Sequence, residues 1–374
     1  MRVLVLTWIA LAGCGAEKAG RPGAVDTGTP IPGPGVDSGD PPDNPPDDPP
    51  DDPADDTGDT PVVPLGFIGA PCEADTDCTY DGGVCLTDGF PDGMCSLPCD
   101  NMCPDESGHP VTFCVDADAL PSPDISGGWC VSRCDFQIHP AMGCRDGYGC
   151  VVEQRFNEGY TENYSCIPGD DTDLNECHFS LADRGIAFEP TLREPEHPDG
   201  HPDLTCSIDN PVWVLSPVFG VELEYYDGTP TPRTLAACEM AHALADTVAD
   251  VVDRGVTSLL HIGTYNCRVI GGTSSLSRHS FADAIDIYGF GFEDGSEWTL
   301  VDHWEHDTSE FATAAGEFLY DAAYRWYDDW IWNIILTPNY NLAHDNHFHV
   351  DLSPGSHYVG ATDGRYIGPA LYVD

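Results

Sequence analysis

Three histidines near the end of the chain, together with a histidine and an aspartate in an earlier stretch, have side chains of the kind that hold a catalytic metal ion. The later stretch contains His344, His347 and His349, and the earlier stretch contains His279 and Asp286. Zinc in hydrolases is bound by imidazole nitrogens and carboxylate oxygens, with one position left open for water. If the two stretches converge, they form a zinc site that activates water for hydrolysis.

The residues around these side chains predict the strands that would position them. Phe348 and Val350 alternate with His347 and His349, which is the period of a strand with one buried face. His347 and His349 therefore point the same way, so that one can bind the metal while the other stands beside it. Asp286 lies between two isoleucines in a second predicted strand, where a carboxylate is costly unless it is paired or bound to a metal.

The remaining C-terminal pattern mixes helices and strands without regular alternation, which predicts an α+β domain with a mostly antiparallel sheet. Thr234 is the predicted cap of the first helix. His261 falls within a predicted strand and is interpreted as structural. The predicted helices span 234–252 and 309–326, and the predicted strands span 258–268, 281–292, 298–304, 331–337 and 348–352.

Three short motifs give the C-terminal part a resemblance to a known family. They read GTYNCR at 263–268, LSRH at 276–279 and LTPNYN at 336–341. With the His-x-x-His-x-His order of the later stretch, they resemble the bacterial extensin-like C-terminal domain family over residues 204 to 353. That family is similar in layout to the zinc peptidases that cleave D-Ala-D-Ala and related peptidoglycan cross-links.

The resemblance implies a role for each candidate residue. His279, Asp286 and His349 match the family's metal ligands, and His347 and His344 match its flanking catalytic histidines. His347 would take a proton or pass it to the leaving amine. A protonated His344 would stabilise the negatively charged tetrahedral intermediate. The resemblance also implies the substrate, which is a peptidoglycan stem peptide or cross-link.

Two positions depart from the pattern of the related peptidases. Ala282 stands in the turn between the first two ligands, where those peptidases usually have Gly. Asn346 stands three residues before the last ligand, where some of them have a Glu that acts as the base.

Two arginines near His279 are candidates for substrate binding. Arg268 or Arg278 could hold a substrate carboxylate through a bidentate contact. Arg268 is favoured because it ends a predicted strand that leads towards His279.

The cysteines divide the rest of the chain. Beyond Cys14, twelve cysteines lie in a Cys-rich repeat region predicted at 66–170, and four lie in the C-terminal domain predicted at 171–374. Even counts in an exported chain indicate disulfides. The first twelve form three consecutive sets of four, which predicts a triple repeat that binds glycan or protein or spaces the domain from a membrane. The expected pairs in the C-terminal domain are Cys206–Cys238 and Cys177–Cys267.

The N-terminal segment 1–14 is predicted to direct export and lipid attachment. It has Arg2, a short apolar run and small residues before Cys14, and it resembles a bacterial lipoprotein signal with Cys14 as the acylated residue. An ordinary cleaved secretory signal is the alternative. Residues 15–65 are rich in Pro and Asp and are predicted to form a disordered linker. We therefore expect an exported lipoprotein at the outer membrane, the cell surface or the periplasm.

The charge of the chain excludes several partners. The formal net charge is -50, from 64 acidic and 14 basic residues. Nucleic acid binding needs clustered Lys and Arg, so no nucleic acid partner is expected. An anionic membrane is likewise expected to be a partner only through the lipid anchor.

These observations predict a zinc peptidase of the bacterial envelope, with peptidoglycan peptides as its partner. One alternative is a non-catalytic protein that keeps zinc as a structural element and uses the repeats for adhesion. A second alternative is a purely structural envelope protein. Metal analysis combined with muropeptide cleavage separates these alternatives.

Overall fold

The computed structural model of the chain describes residues 65–308 and 310–360. The predicted lipid attachment residue Cys14, and the predicted linker apart from Leu65, lie outside the described residues. Within the described ranges, no helix is both long enough and apolar enough to span a membrane.

Short strands linked by disulfides form the Cys-rich part. β1 and β2 form a hairpin, and the other strands form a five-stranded sheet in the order β3-β5-β4-β6-β7. The strands are β1 (Val84–Leu86), β2 (Met94–Ser96), β3 (Pro98–Cys99), β4 (Thr112–Asp116), β5 (Gly128–Ser132), β6 (Tyr148–Arg155) and β7 (Glu158–Pro168). Such short elements bury little apolar surface, so cross-links carry much of their stability.

The cysteines of this part form disulfides, as predicted, and the connectivity is the same in each set of four. In each set of four, the first cysteine is bonded to the third and the second to the fourth. The bonds are Cys72–Cys85, Cys78–Cys95, Cys99–Cys114, Cys103–Cys130, Cys134–Cys150 and Cys144–Cys166.

A seven-stranded sheet is the centre of the C-terminal part. Its order is β10-β12-β13-β16-β15-β17, with β14 paired to β13, and all its pairs are antiparallel except β10 with β12 and β15 with β17. The mixed fold with mostly antiparallel sheets is therefore confirmed. Helices and strands of this part are α1 (Glu176–Asp183), β8 (Phe188–Pro190), β9 (Pro211–Leu215), β10 (Glu222–Tyr225), β11 (Arg233–Ala237), α2 (Cys238–Val252), β12 (Val256–Gly263), β13 (Ala284–Phe292), β14 (Glu297–Thr299), α3 (Leu300–His303), α4 (Ala314–Asp328), β15 (Ile334–Leu336), β16 (Phe348–Asp351) and β17 (Tyr358–Val359).

The core lies on one face of this sheet. Ile285 and Ile287 of β13 and Phe348 and Val350 of β16 are fully buried. They pack in one core with the apolar faces of α2 and α4. Because successive side chains of a strand point to opposite faces, the residues between them project from the other face. That alternation places Asp286 and His349 on the face away from the core.

Side chains from both sides of residue 170 share this core. The ring of Phe136 stacks on that of Phe188 with centroids 4.1 Å apart, and the Phe136 N–H donates to the Phe188 carbonyl at 3.1 Å. The ring of His178 has centroid distances of 6.0 Å to both Tyr164 and Phe188. The described residues consequently form one compact unit.

Several predicted element boundaries are wrong. The strand predicted at 298–304, for example, ends at Thr299 and is followed by α3. The helix predicted at 234–252 is α2, and it begins at Cys238. Thr234 instead belongs to β11, where it pairs with Val214. Distant carbonyls satisfy the amides at this point: the N–H of Ala237, the residue before α2, donates to Ala282, and the Cys238 N–H donates to Asn210. No capping side chain marks the start of the helix. The strand predicted at 258–268 ends at Gly263 after two register shifts, which are typical of β-bulges and bend the chain.

The predicted disulfide pairs of the C-terminal part are also wrong. The structure joins Cys177 to Cys238 and Cys206 to Cys267, with Cα separations of 6.2 and 5.7 Å. Cys177 and Cys238 each stand in the first turn of a helix, and α1 packs against α2. Cys206 is thereby left to meet Cys267 in the loop that leads to His279.

Candidate metal centre

Two neighbouring strands and one turn bring the candidate ligands together. Asp286 of β13 is the direct partner of His349 of β16 in the antiparallel pairing. His279 lies in a 3-10 helix, Arg278–Phe281, just before β13. Ala282 ends that helix in a left-handed conformation, with φ 50° and ψ 32°, and the reversal turns His279 back over β13. The Ala237 N–H donates to the Ala282 carbonyl at 2.8 Å and fixes this turn to the start of α2.

Three atoms of these side chains form a nearly equilateral triangle. His279 Nε2 lies 3.1 Å from both Asp286 Oδ1 and His349 Nδ1, and His349 Nδ1 lies 2.9 Å from Asp286 Oδ1. Ligand atoms at tetrahedral angles around zinc lie about 3.3 Å apart. The triangle therefore has nearly the size of one face of a zinc coordination tetrahedron.

The second nitrogen of each histidine determines which atom can face a metal. His279 Nδ1 lies 3.1 Å from the Thr264 carbonyl, and His349 Nε2 lies 3.1 Å from Asp351 Oδ2. Both acceptors require the adjacent nitrogen to carry its proton, so in the neutral imidazoles the inward nitrogens present lone pairs. Donation from a ligand histidine to a carbonyl or carboxylate is the usual arrangement around protein-bound zinc.

The charges of the triangle favour a cation at its centre. Burial raises the pKa of Asp286, but the neighbouring His279 and His349 outweigh it and hold that pKa well below the ordinary value. Burial lowers the pKa of His349, but hydrogen bonds and charges from Asp286 and Asp351 raise it to about 10. Three lone pairs facing one another repel unless a proton or a metal cation lies among them. Two nitrogens and one carboxylate oxygen are a donor set that suits zinc.

His347 and His344 lie beside the triangle. His347 Nε2 is 3.5 Å from Asp286 Oδ1, and its Nδ1 is 2.7 Å from Asn346 Oδ1. Burial is the main cause that lowers the pKa of His347 to about 4, so this imidazole is neutral at pH 7. The fully buried His344 has its ring centroid 5.2 Å from that of His347 and its Nδ1 2.8 Å from Asn341 Oδ1.

The two arginines predicted to bind substrate differ in their surroundings. Arg278 forms an ion pair with Asp283, and its guanidinium lies 4.8 Å from the Phe281 ring centroid. These three residues line a groove of about 600 Å³, and the lining of that groove includes none of the three triangle residues. Arg268 does not end a strand, because β12 stops at Gly263; its backbone is instead held against the helix of His279 by Ser280 Oγ.

Sequence reasoning missed the groups that orient the ligands. Asp351 shares the two-residue period of His347 and His349, and that period was the available signal for it. The Thr264 carbonyl carried no signal, because any residue type supplies a backbone carbonyl.

Comparison with known proteins finds a family match in this part of the chain. Residues 175–359 match the family model of the extensin-like protein C-terminus. This extensin-like segment contains all five site residues and both arginines, and the predicted resemblance to that family is confirmed. The relation to D-Ala-D-Ala peptidases stays a prediction. Neither the curated proteins nor the solved structures include a significant match to the chain.

Proposed function

We propose that the chain is a zinc-dependent peptidase that acts on peptidoglycan stem peptides or their cross-links. One observation carries the proposal: His279 Nε2, His349 Nδ1 and Asp286 Oδ1 lie within 3.1 Å of one another. The two outward nitrogens, bonded to Thr264 and Asp351, support it because they leave the inward lone pairs for a metal.

The residues of the chain divide the chemistry among them. A zinc ion held by His279, Asp286 and His349 would supply a water nucleophile that is activated at neutral pH. His347, neutral and with Nε2 turned towards Asp286, is placed to accept the proton of that water and return it to the leaving amine. His344 is placed beside it to stabilise negative charge on the substrate carbonyl oxygen.

The proposals for the substrate and the location of the protein are supported by the family match and the disulfides, and not by the geometry of the site. The match to an extensin-like family supports a role at the cell envelope, and the disulfides support an oxidising compartment. Within the substrate, a carboxylate would be bound by Arg268 or Arg278 through a bidentate contact.

The decisive experiment separates metal binding from catalysis. The purified protein should contain about one zinc per chain and cleave muropeptides. His279→Ala should lose both properties, whereas His347→Ala should keep the zinc and lose about 100-fold or more in cleavage rate. Zinc without cleavage in the wild type would favour a non-catalytic binding protein, and a metal-free wild type would refute the proposal.

The lipid anchor needs a separate test. We propose that Cys14 is acylated and tethers the protein to the outer membrane or the cell surface. Cys14→Ser should shift the protein from the membrane fraction to the soluble fraction, because a protein anchored only by lipid is released when its acyl chains are lost. Unchanged membrane association of the variant would remove the anchor.

A further inference from the structure

One side-chain oxygen organises the turn that carries His344. Asn341 Oδ1 accepts from the Ala343 N–H at 2.9 Å and lies 2.8 Å from His344 Nδ1. Asn341 is also the N-cap of the 3-10 helix Leu342–His344, and its carbonyl accepts from the His344 N–H at 3.1 Å. The fold of this turn and the position of the His344 imidazole therefore depend on the same residue.

The contact with Ala343 identifies the acceptor atom of Asn341 and thereby the tautomer of His344. A backbone N–H can only donate, so the side-chain atom that faces it is the amide oxygen and not the amide nitrogen. An amide oxygen can likewise only accept from the imidazole. His344 Nδ1 must consequently carry a proton in both the neutral and the cationic ring, and only Nε2 differs between the two forms.

Three neighbouring rings pack around the imidazole of His344, which is fully buried. Tyr340 meets it edge-on with centroids 5.5 Å apart, and the centroids of the His347 and His349 rings lie at 5.2 and 5.9 Å. Buried side chains are close-packed, so turning this ring over would displace its neighbours as well as break the bond to Asn341. The orientation that Asn341 sets is therefore also held by packing.

The loop that precedes β16 is itself anchored by a second asparagine. Asn339 Oδ1 lies 3.0 Å from both Trp304 Nε1 and His306 Nδ1. The Trp304 ring packs edge-on against Phe348, the residue before the proposed ligand His349, with centroids 5.4 Å apart. Side chains outside the loop consequently fix its position relative to β16.

We infer that Asn341 is a positioning residue, which holds His344 in the orientation and the tautomer that the reaction uses. With the proton of Nδ1 given to Asn341, Nε2 can donate to a substrate oxygen only when the ring is cationic. A cationic donor stabilises a negatively charged oxygen more strongly than a neutral donor does. This consequence for catalysis rests on the proposed function, whereas the tautomer of His344 is independent of it.

Two substitutions separate the capping contact from the contact with the imidazole. Serine and aspartate both accept from a backbone N–H at the start of a helix. Asn341→Asp keeps an oxygen opposite His344 Nδ1, whereas Asn341→Ser has a side chain one bond shorter and withdraws the acceptor. Nitrogen NMR spectra of the full chain at alkaline pH, with His344→Gln to identify the signals, report the tautomer. The wild type and Asn341→Asp should carry the proton on Nδ1, and Asn341→Ser should shift it towards Nε2.

Muropeptide cleavage tests the consequence for catalysis. Asn341→Ser should lose about tenfold in kcat with little change in KM, because the altered donor acts on the transition state more than on the bound substrate. Asn341→Asp should recover most of that loss. Zinc content should stay at the wild-type level in both variants, because the proposed ligands are other residues. Asn101→Ser, at an exposed position of the Cys-rich part, is the matched control.

The outcomes separate this inference from the proposed peptidase function. An unchanged tautomer in Asn341→Ser would overturn the inference, as would a kcat equal to that of the wild type. A tautomer that shifts in Asn341→Ser, in a protein whose wild type never cleaves muropeptides, would support the positioning of His344 and refute the peptidase function.

Discussion

At the candidate metal centre, the outward nitrogen of each histidine decides what its inward nitrogen can do. His349 donates through Nε2 to Asp351, and only that tautomer leaves Nδ1 free to bind a cation. Asp351 is itself held, because its Oδ1 accepts from the Ser353 N–H at 2.8 Å. Affinity for the proposed zinc ion would therefore depend on a residue that does not touch it.

Asp351→Asn tests this dependence. The asparagine carbonyl can still accept from Ser353, but its amide would then face His349 Nε2 and favour the wrong tautomer. We expect zinc affinity to fall by about 10- to 100-fold in chelator competition. Asp345→Asn, which removes the same charge from an exposed position in the turn before β16, should leave affinity unchanged. Equal losses in both variants would show a general effect of charge.

The left-handed turn at Ala282 gives a second prediction at the scale of single residues. Ala282→Gly relieves the backbone strain, but it removes a fully buried methyl group and raises the conformational entropy of the unfolded chain. The free energy of unfolding should consequently change by less than about 1 kcal/mol. Ala282→Val places a β-branched residue at φ 50° and should cost about 3 kcal/mol in denaturant unfolding. A valine variant as stable as the glycine variant would contradict this account.

At the scale of elements, α1 depends on a neutral histidine. His178 Nδ1 accepts from the Asn175 N–H, while Asn175 Oδ1 accepts from the His178 N–H, each at 3.2 Å. Burial lowers the pKa of His178 to about 4. Protonation would turn the accepting nitrogen into a donor and break this capping pair.

The pH dependence of stability follows from that shift. Because the folded pKa lies below the unfolded value of about 6.5, the unfolded chain binds the proton more tightly. The contribution of His178 to the free energy of unfolding is fully present above pH 6.5, and it declines by up to about 3 kcal/mol as the pH falls to 4. His178→Gln keeps the capping acceptor without titrating, so its stability relative to the wild type should rise between pH 7 and 4. A pH-independent difference between the two proteins would refute this role.

The sequence was sufficient to predict elements that have a local pattern. The prediction failed where contacts between residues far apart in the chain determine the structure. Alternation around Asp286 and His349 was sufficient to place each residue in a strand, whereas the pairing of those two strands was seen only in the structure. The start of α2 was missed because the Ala237 and Cys238 amides donate to the remote carbonyls of Ala282 and Asn210, and no capping side chain marks the position. The pairing of Cys177 with Cys238 depends on how two helices pack, which no local spacing encodes.

At the scale of the whole molecule, the Cys-rich part and the extensin-like segment are joined by apolar contacts. Phe136, only 2% exposed, stacks on the fully buried Phe188, and Arg133 lies 4.0 Å from Glu189 beside them. An interface with buried rings couples the stability of the parts that share it.

Phe136→Ala tests this coupling. Calorimetry of the wild type should show one unfolding transition for residues 65–360, and the variant should lose about 3–5 kcal/mol while still unfolding in one step. Tyr160→Ala, which removes an exposed ring, should leave the transition unchanged. Two separate transitions, with only the lower one shifted by Phe136→Ala, would show that the parts unfold independently.

The disulfide connectivity imposes an order on maturation. Bridges in the Cys-rich part join cysteines 13 to 27 residues apart, so each repeat can be oxidised soon after it emerges from the translocation or synthesis machinery. The last two bridges each span 61 residues and interleave, since Cys206 lies inside the loop closed by Cys177 and Cys238. Cys206 must therefore remain a thiol until Cys267 has appeared. For these two bridges the risk of mispairing lasts until Cys267 has emerged, and a disulfide isomerase would speed the formation of the native pairs.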